Sequence, residues 1–320
     1  GNIKYAVFTE DLAWTAPIAQ YLQYVGLGPN ATWVYTYKAP VTTASFATQL
    51  AAADALGVHL IIDVFTLPLA PILVSQVAGF GYKALVVGID VFGQLQTNWA
   101  NTGGACNHTV LLNWAGTATP IVPGLTDVFW KNFMGNCSGE WPLYTAFGAY
   151  DAIYALKEAI EKAGSIDPYV LLPFIEGTDR IGLSGRFKYT AWHDVYSESV
   201  GPLWPDGYTR AMMVQWINGS TLTPSIPEGV MTVVTPMDQP YSRKTLIPPW
   251  MYALAPWDID FDGQVNIKDI AAAAKAFGTF PRDKGWNTET DTNIDGKIDI
   301  KDIASIARHF GESAAEWPLP

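Results

Sequence analysis

Two stretches near the carboxyl end repeat one another: residues 258–278 read DIDFDGQVNIKDIAAAAKAFG and residues 291–311 read DTNIDGKIDIKDIASIARHFG. Their first residues, Asp258 and Asp291, lie 33 positions apart, and oxygen-bearing side chains recur at the same places in both copies. The sixth position of each copy is glycine, which allows the sharp turn that a loop around an ion requires. Hard oxygen ligands on this spacing suit Ca²⁺, so the repeat predicts two calcium-binding loops.

The ligand positions of such a loop follow a fixed pattern. Positions 1, 3 and 5 offer side-chain oxygens, position 7 a backbone carbonyl, position 9 a ligand through water and position 12 a carboxylate. In the first copy these positions hold Asp258, Asp260, Asp262, Gln264, Asn266 and Asp269. In the second copy they hold Asp291, Asn293, Asp295, Lys297, Asp299 and Asp302. A short amphipathic helix is predicted after each loop, over residues 267–277 and 300–310.

A loop followed by one helix, present twice and with aspartate at position 12, resembles the dockerin family over residues 256–312. The resemblance implies that two calcium ions hold the helices together and that the paired surface docks onto a cohesin partner. A metal-clamped terminal module without such a partner is the alternative. An acidic tail with accidental spacing is disfavoured, because the spacing recurs with glycine in place.

Bulk composition excludes several classes of protein. The chain has 320 residues, of which 49% are hydrophobic, so it can bury a large core and form more than one domain. Its net charge of −11 argues against nucleic acid or an anionic membrane as partner. The longest apolar run, residues 58–80, is interrupted by Asp63, Pro68 and Pro71. The sequence also lacks the nucleotide-binding, C-x-x-C and H-E-x-x-H motifs, and we predict no enzyme activity.

Several features together indicate an extracellular, surface-associated protein. The only two cysteines, Cys106 and Cys137, lie in polar stretches, and we predict a disulfide between them. Four N-x-[ST] sequons predict glycosylation at Asn30, Asn107, Asn136 and Asn218. The first residue is Gly1 rather than Met, which suggests that a leader or a longer segment has been removed.

The first part of the chain alternates unbroken apolar runs with helical periods. This pattern is typical of an α/β fold in which a parallel sheet carries helices on both faces. The predicted strands are residues 3–8, 32–37, 59–65, 84–87 and 109–114. The predicted helices are residues 14–25, 45–56 and 70–78.

Helices are then predicted over residues 125–134, 144–163 and 168–175, and short strands over 186–189, 210–216 and 229–234. The predicted domains are a first lobe (1–117), a partial second lobe with crossover segments (118–235), a proline-rich strap (236–256), the calcium module (257–312) and a tail (313–320).

Four segments carry a second resemblance. The stretches 144–152 (YTAFGAYDA), 158–165 (EAIEKAGS), 182–187 (GLSGRF) and 214–219 (VQWING) resemble the leucine/isoleucine/valine-type family of solute-binding proteins, which have the periplasmic-binding type I fold. The resemblance spans residues 3–250 and implies a cleft that closes on a small ligand, usually an amino acid. It also implies that a whole lobe normally precedes the strand at 3–8. Either that lobe is encoded upstream, or it is absent and another chain covers the exposed apolar face.

The family resemblance implies ligand contacts from loops at the carboxyl ends of the strands. Three residues hold such places: Trp14, Thr66 and Asp90. Asp90 resembles the family's acidic clamp on the ligand's ammonium group, and its alternative role is a turn or helix cap. For Trp14 the alternative is packing, and Asp151 in the long helix is predicted to be a structural carboxylate.

Two functions remain open from sequence. One is an amino-acid receptor of an ABC transport system that carries a dockerin-like attachment module. The other is a non-catalytic cell-surface or filament-forming glycoprotein that reuses this fold. It would assemble as a homopolymer, or with a neighbouring protein, through the calcium module or an exposed half-lobe.

Overall fold

The computed structural model describes residues 3–29, 31–113, 122–193, 195, 212–218, 229–235, 257–260, 264–280, 283–293 and 295–312. The chain forms two compact units, one of residues 1–111 with 215–320 and the other of residues 112–214. Four predicted features lie outside the described residues: the strap (236–256), the tail (313–320), the sequon at Asn30 and the calcium ligand Asp262.

The described strands form one large sheet and one hairpin. Their bounds are β1 Ile3–Glu10, β2 Ala31–Ala39, β3 Leu60–Phe65, β4 Leu85–Asp90, β5 Val110–Asn113, β6 Asp179–Gly182, β7 Gly185–Lys188, β8 Met212–Ile217 and β9 Val230–Thr235. The seven-stranded sheet has the order β2-β1-β3-β4-β5-β8-β9, while β6 and β7 form an antiparallel pair. The pairs from β2 to β5 are parallel, which confirms the predicted parallel sheet.

The bounds of the described helices are α1 Ala16–Tyr24, α2 Ala47–Ala55, α3 Ala70–Gly79, α4 Asn98–Asn101, α5 Thr126–Asn136, α6 Tyr144–Ala163, α7 Pro168–Glu176, α8 Ile267–Lys275 and α9 Ile300–Arg308. Helices α1 to α7 lie in the connections between these strands, and α8 and α9 follow the last strand. In the described part of the chain, no helix combines the length and the apolar character needed to cross a membrane.

Alternate residues of β1 pack on opposite faces of the sheet, as the pleat of a strand requires. Val7 packs with Ala19 of α1 and with Ile62 on one face. Phe8 lies on the other face, where its ring centroid is 6.1 Å from that of Phe46, the residue before α2. Both faces are therefore covered, which explains why residues 5–8 of β1 are continuously apolar rather than alternating.

The second unit has its own core. Trp130 of α5, Phe147 of α6 and Leu183 of the β6–β7 turn pack together. The long helix α6 ends at Gly164, whose φ of 61° is the left-handed conformation favoured by glycine at a helix end.

In the carboxyl-terminal repeat, α8 and α9 each begin with a capping box, formed by Asn266 with Asp269 and by Asp299 with Asp302. The two helices pack through Ala273 and Ile306. Backbone bonds also join the copies: the Gly278 N–H donates to the Ile298 carbonyl at 2.8 Å.

The last two strands of the sheet differ from the predicted arrangement. We assigned residues 210–216 and 229–234 to the partial second lobe, whereas β8 and β9 extend the large sheet beyond β5. The Trp216 N–H donates to the Thr109 carbonyl at 3.0 Å, and the His108 N–H donates to the Trp216 carbonyl at 2.7 Å. This pairing joins segments more than a hundred residues apart, so the local pattern alone did not determine it.

Candidate functional site

The carboxyl end of β1 holds a fully buried carboxylate, that of Glu10. Its Oε1 accepts hydrogen bonds from the Trp14 indole Nε1 at 2.8 Å and from the Thr66 hydroxyl at 2.5 Å. Its Oε2 accepts the backbone N–H groups of Thr66 and Leu67, each at 2.9 Å. Four donors therefore surround one side chain, which satisfies a buried charge well.

The predicted ligand contacts Trp14 and Thr66 are thus brought together at this place. Both residues lie beyond the carboxyl end of a strand, as expected. Both donate a hydrogen bond to the Glu10 carboxylate, so these two donors already have a partner. Sequence reasoning missed Glu10 itself. The signal that could have found it is an acidic residue two positions after the apolar run at residues 5–8, because a carboxylate that close to a buried strand must be either solvated or hydrogen-bonded.

Asp90, the third predicted contact, ends β4 and is 6% exposed. Its Oδ1 accepts the Gly93 N–H at 2.7 Å, so the carboxylate caps the turn after the strand. This is the alternative role that the sequence left open. A Cβ at Gly93 would lie only 2.1 Å from the Asp90 Oδ2, so this close turn requires glycine. The ligand contact at Asp90 stays a prediction.

A second buried carboxyl group, Asp63, lies beside Asp90 within the sheet. Asp63 pairs in register with Gly88, and a Cβ on Gly88 would lie 2.3 Å from the Asp63 Oδ1. Burial raises the pKa of Asp63 well above its usual range, and the charge of Asp90 raises it further. Burial also raises the pKa of Asp90 to about 7. The two groups therefore oppose each other's ionisation.

The first predicted calcium loop brings three carboxylates together. Ligand oxygens of Asp258, Asp260 and Asp269 all lie within 4.8 Å of one another. Asp269 is fully buried, and its Oδ1 accepts the Ile259 N–H at 2.6 Å while its Oδ2 accepts the Asn266 N–H at 2.7 Å. The position-12 residue therefore fixes both ends of its own loop.

The second loop has the same construction. The fully buried Asp302 accepts the Thr292 N–H at 2.9 Å and the Asp299 N–H at 2.8 Å. Asp291 accepts the Gly296 N–H at 2.9 Å. Burial raises the pKa of Asp291 to about 6, and the charge of Asp302 adds to the rise. Clustered carboxylates of this kind repel one another, and a divalent cation would offset the repulsion.

The other predicted ligand residues that the structure describes take part in hydrogen bonds within the loops. Asn266 and Asp299, at position 9, cap α8 and α9 by accepting the Lys268 and Lys301 N–H groups. Asn293 and Asp295 are exposed, and the Asp295 N–H donates to the Asn293 Oδ1 at 2.9 Å. Gln264 and Lys297 would contribute backbone carbonyls. A set made only of oxygen donors on two tightly bonded loops fits Ca²⁺.

Both cysteines are free, so the structure does not contain the predicted disulfide between Cys106 and Cys137. Cys106 is 1% exposed in the first unit, where burial raises the pKa of its thiol to about 11. Cys137 is exposed and follows the end of α5 in the second unit. One thiol is therefore part of a core and the other lies at a helix end. The polar sequence around each residue gave no sign of this difference.

Three of the predicted glycosylation sites lie in the described residues. Asn136 is exposed near the end of α5. Asn107 and Asn218 lie side by side, since the Asn218 N–H donates to the Asn107 Oδ1 at 3.0 Å. Glycosylation at these positions stays a prediction.

Comparisons with known proteins show the fold. No family model matches the sequence, and no curated protein matches it significantly. Among solved structures, a protein of Silicibacter pomeroyi described as a branched-chain amino acid ABC transporter matches with a TM-score of 0.64 and 16% identity, over 78% of this chain and 62% of that one. A leucine-binding protein of Thermotoga maritima matches with a TM-score of 0.54 and 18% identity, over 74% and 61%.

A solute-binding protein of R. palustris in complex with benzoate matches with a TM-score of 0.56 and 15% identity, over 72% of this chain and 58% of that one. The fold is the periplasmic-binding type I fold. This result confirms the predicted α/β class. The chain spans about three-fifths of the length of the structures that it matches.

Proposed function

We propose that this chain is part of an extracellular receptor that binds a small carboxylate solute, of the amino-acid type, for an ABC transporter. The observation that supports it is the sheet: a periplasmic-binding type I fold whose strands end in converging hydrogen-bond donors at the edge where such sheets bind ligands. The solutes named for the matched structures, branched-chain amino acids and benzoate, all carry a carboxylate. Under this proposal the solute displaces the Glu10 carboxylate from Trp14 and Thr66, and these two residues and Asp90 then contact the solute.

A thermal-shift screen of the intact chain tests the proposal. The twenty common amino acids and a set of aromatic acids are added at millimolar concentration in the presence of calcium. Saturable stabilisation by at least one carboxylate is expected, because a solute that binds only the folded state raises the melting temperature. No shift for any compound would count against a receptor.

We also propose that the carboxyl-terminal repeat binds two calcium ions and attaches the protein to a partner, either a cohesin-like domain or a neighbouring surface protein. Support comes from the three clustered carboxylates of the first loop and the buried Asp291 and Asp302 of the second. When bound, calcium would supply the positive charge that lets these carboxylates stay ionised and close together. Metal analysis of the desalted protein tests the stoichiometry.

A structural role at the cell surface is the second candidate. Two observations favour it: Glu10 occupies the donors of Thr66 and Trp14, and helices α6 and α7 leave large apolar side chains exposed. Among them, Ile153 of α6 is 68% exposed and Tyr169 of α7 is 90% exposed. Electron microscopy with calcium and then with chelator tests this candidate. Filaments or ordered assemblies that depend on calcium would support it, and monomers under both conditions would contradict it.

A further inference from the structure

The hydrogen-bond donors around Glu10 are arranged to match both oxygens of a carboxylate. Each carboxylate oxygen receives two hydrogen bonds, one pair from the Trp14 indole and the Thr66 hydroxyl and the other from two successive backbone N–H groups. Successive N–H groups that converge on one point are a common way of binding anions in proteins. Among the residues that the structure describes, neither lysine nor arginine donates to the Glu10 carboxylate, so uncharged donors alone satisfy it there.

The two segments that carry these donors are also held by bonds that do not involve the Glu10 side chain. The Thr15 hydroxyl donates to the backbone carbonyls of Glu10 at 2.8 Å and of Leu12 at 2.9 Å, which fixes the turn that carries Trp14. After β3, the Leu69 N–H donates to the Leu67 carbonyl at 2.7 Å. Because these bonds do not depend on the Glu10 carboxylate, we expect the donors to stay in place when it is removed.

We propose that these donors are a carboxylate-binding site and that Glu10 is its resident occupant, so that the site accepts a small external carboxylate once the Glu10 side chain is removed or displaced. Trp14 is 37% exposed, and Thr66 and Leu67 are partly buried, so the site lies close to the solvent. Solutes without a carboxylate leave two backbone N–H groups unpaired and are rejected. The inference concerns the donors alone and does not require that the protein is a transport receptor.

The substitution Glu10→Ala tests the site directly, because the group that it deletes, CH₂–COO⁻, has the size and charge of acetate. We expect acetate to raise the melting temperature of this variant by about 2–4 °C when present at about ten times its Kd. The comparison is made against chloride at equal ionic strength. Wild-type protein is expected to show no acetate-dependent shift, and calorimetry should show acetate binding at least about tenfold tighter to the variant than to the wild type.

Three controls separate this site from nonspecific effects. Acetamide, which has the same shape without the charge, should not stabilise Glu10→Ala. Glu10→Gln keeps the cavity filled, so acetate should not stabilise it either. Asp11→Ala removes the same charge from the exposed neighbouring residue and should not respond to acetate.

If Glu10→Ala does not fold on its own, the yield of soluble protein after refolding with acetate, acetamide or chloride replaces the melting temperature. Higher recovery with acetate alone supports the site. Equal recovery with all three, or a variant that folds and gives the same melting temperature in acetate as in chloride, overturns it. Equal stabilisation of Asp11→Ala by acetate would also overturn it.

Discussion

Two carboxyl groups are buried in the sheet, those of Asp63 and Asp90. They make the folding stability of the protein depend on pH. Burial raises the pKa of Asp90 to about 7, and it raises the pKa of Asp63 well above the usual range. Between about pH 4 and 7 the folded chain therefore holds more protons at this pair than the unfolded chain. The favourable contribution of Asp90 is complete below about pH 4 and is lost as the pH rises through 7.

The substitution Asp90→Asn should therefore stabilise the protein most at high pH. The amide oxygen can still accept the Gly93 N–H, while the charge near Asp63 is gone. We expect the melting temperature of the variant minus that of the wild type to increase from pH 5 to pH 8, measured at constant calcium. The exposed Asp54→Asn is the control and should give a constant difference. A constant difference for Asp90→Asn as well would contradict the buried pair.

A second residue-scale prediction concerns Asp151 of α6, the carboxylate expected from sequence to be structural. Its Oδ1 accepts a hydrogen bond from Arg180 at 2.9 Å, and its Oδ2 accepts the Leu183 N–H at 3.0 Å. Asp151→Ala leaves both donors without this partner in a place where the ion pair is only 13% exposed. We expect a loss of about 2–4 kcal/mol in the free energy of unfolding, measured with urea.

The exposed pair of Lys157 with Glu161 on the same helix is the matched control. Glu161→Ala should leave the urea midpoint unchanged, because solvent screens an exposed i,i+4 pair. Equal changes in the urea midpoint for Asp151→Ala and Glu161→Ala would contradict the predicted stabilisation by the buried Asp151 carboxylate.

At the level of elements, two glycines give opposite predictions. A Cβ on Gly88 of β4 would lie 1.8 Å from the Asp63 backbone oxygen, whereas a Cβ on Gly148 in α6 meets nothing within 4 Å. Gly88→Ala should therefore destabilise the protein by about 1–3 kcal/mol. Gly148→Ala should stabilise it by about 0.5–1 kcal/mol, since alanine favours a helix interior. Thermal unfolding measures both, and destabilisation of similar size for the two would contradict the close approach of β3 and β4.

The calcium loops allow a prediction at the same level. Asp260→Asn and Asp295→Asn each remove one ligand charge from an exposed position of a different loop. Each should lower the calcium affinity of its own loop by about tenfold or more, because ligand charge strongly affects calcium binding. Calcium titration of the intact protein measures this, and Asp283→Asn in the spacer is the control. Full affinity in both loop variants would contradict the assigned ligands.

Some elements of the fold could be predicted from the sequence better than others. The bounds of α6 were predicted to the residue, because a long amphipathic period and Gly164 mark it locally. The strand β6, at Asp179–Gly182, was missed because four residues without alternation carry little signal. The positions of β8 and β9 in the large sheet depend on pairing with distant strands, which no local pattern encodes.

Across the whole molecule, the sequence predicted the parallel sheet better than the residues at the sheet's edge, and the calcium loops stay a prediction. Loop ligands lie close together in sequence at fixed spacing, so they can be found without a fold. Glu10 and Thr66 are 56 positions apart, and their contact exists only once β1 and β3 pair. The free cysteines are a similar case, because the burial of Cys106 is a property of the folded unit.

The proposed role as a receptor depends on solute binding by the intact chain. Isothermal titration calorimetry of the full chain in calcium, with leucine, isoleucine, valine and benzoate titrated in turn, tests it most directly. We predict a saturable heat for at least one of these carboxylates, with one site per chain. Absence of any binding heat for all four at millimolar concentration, from protein with a cooperative melting transition, would contradict the receptor and leave the structural role as the better explanation.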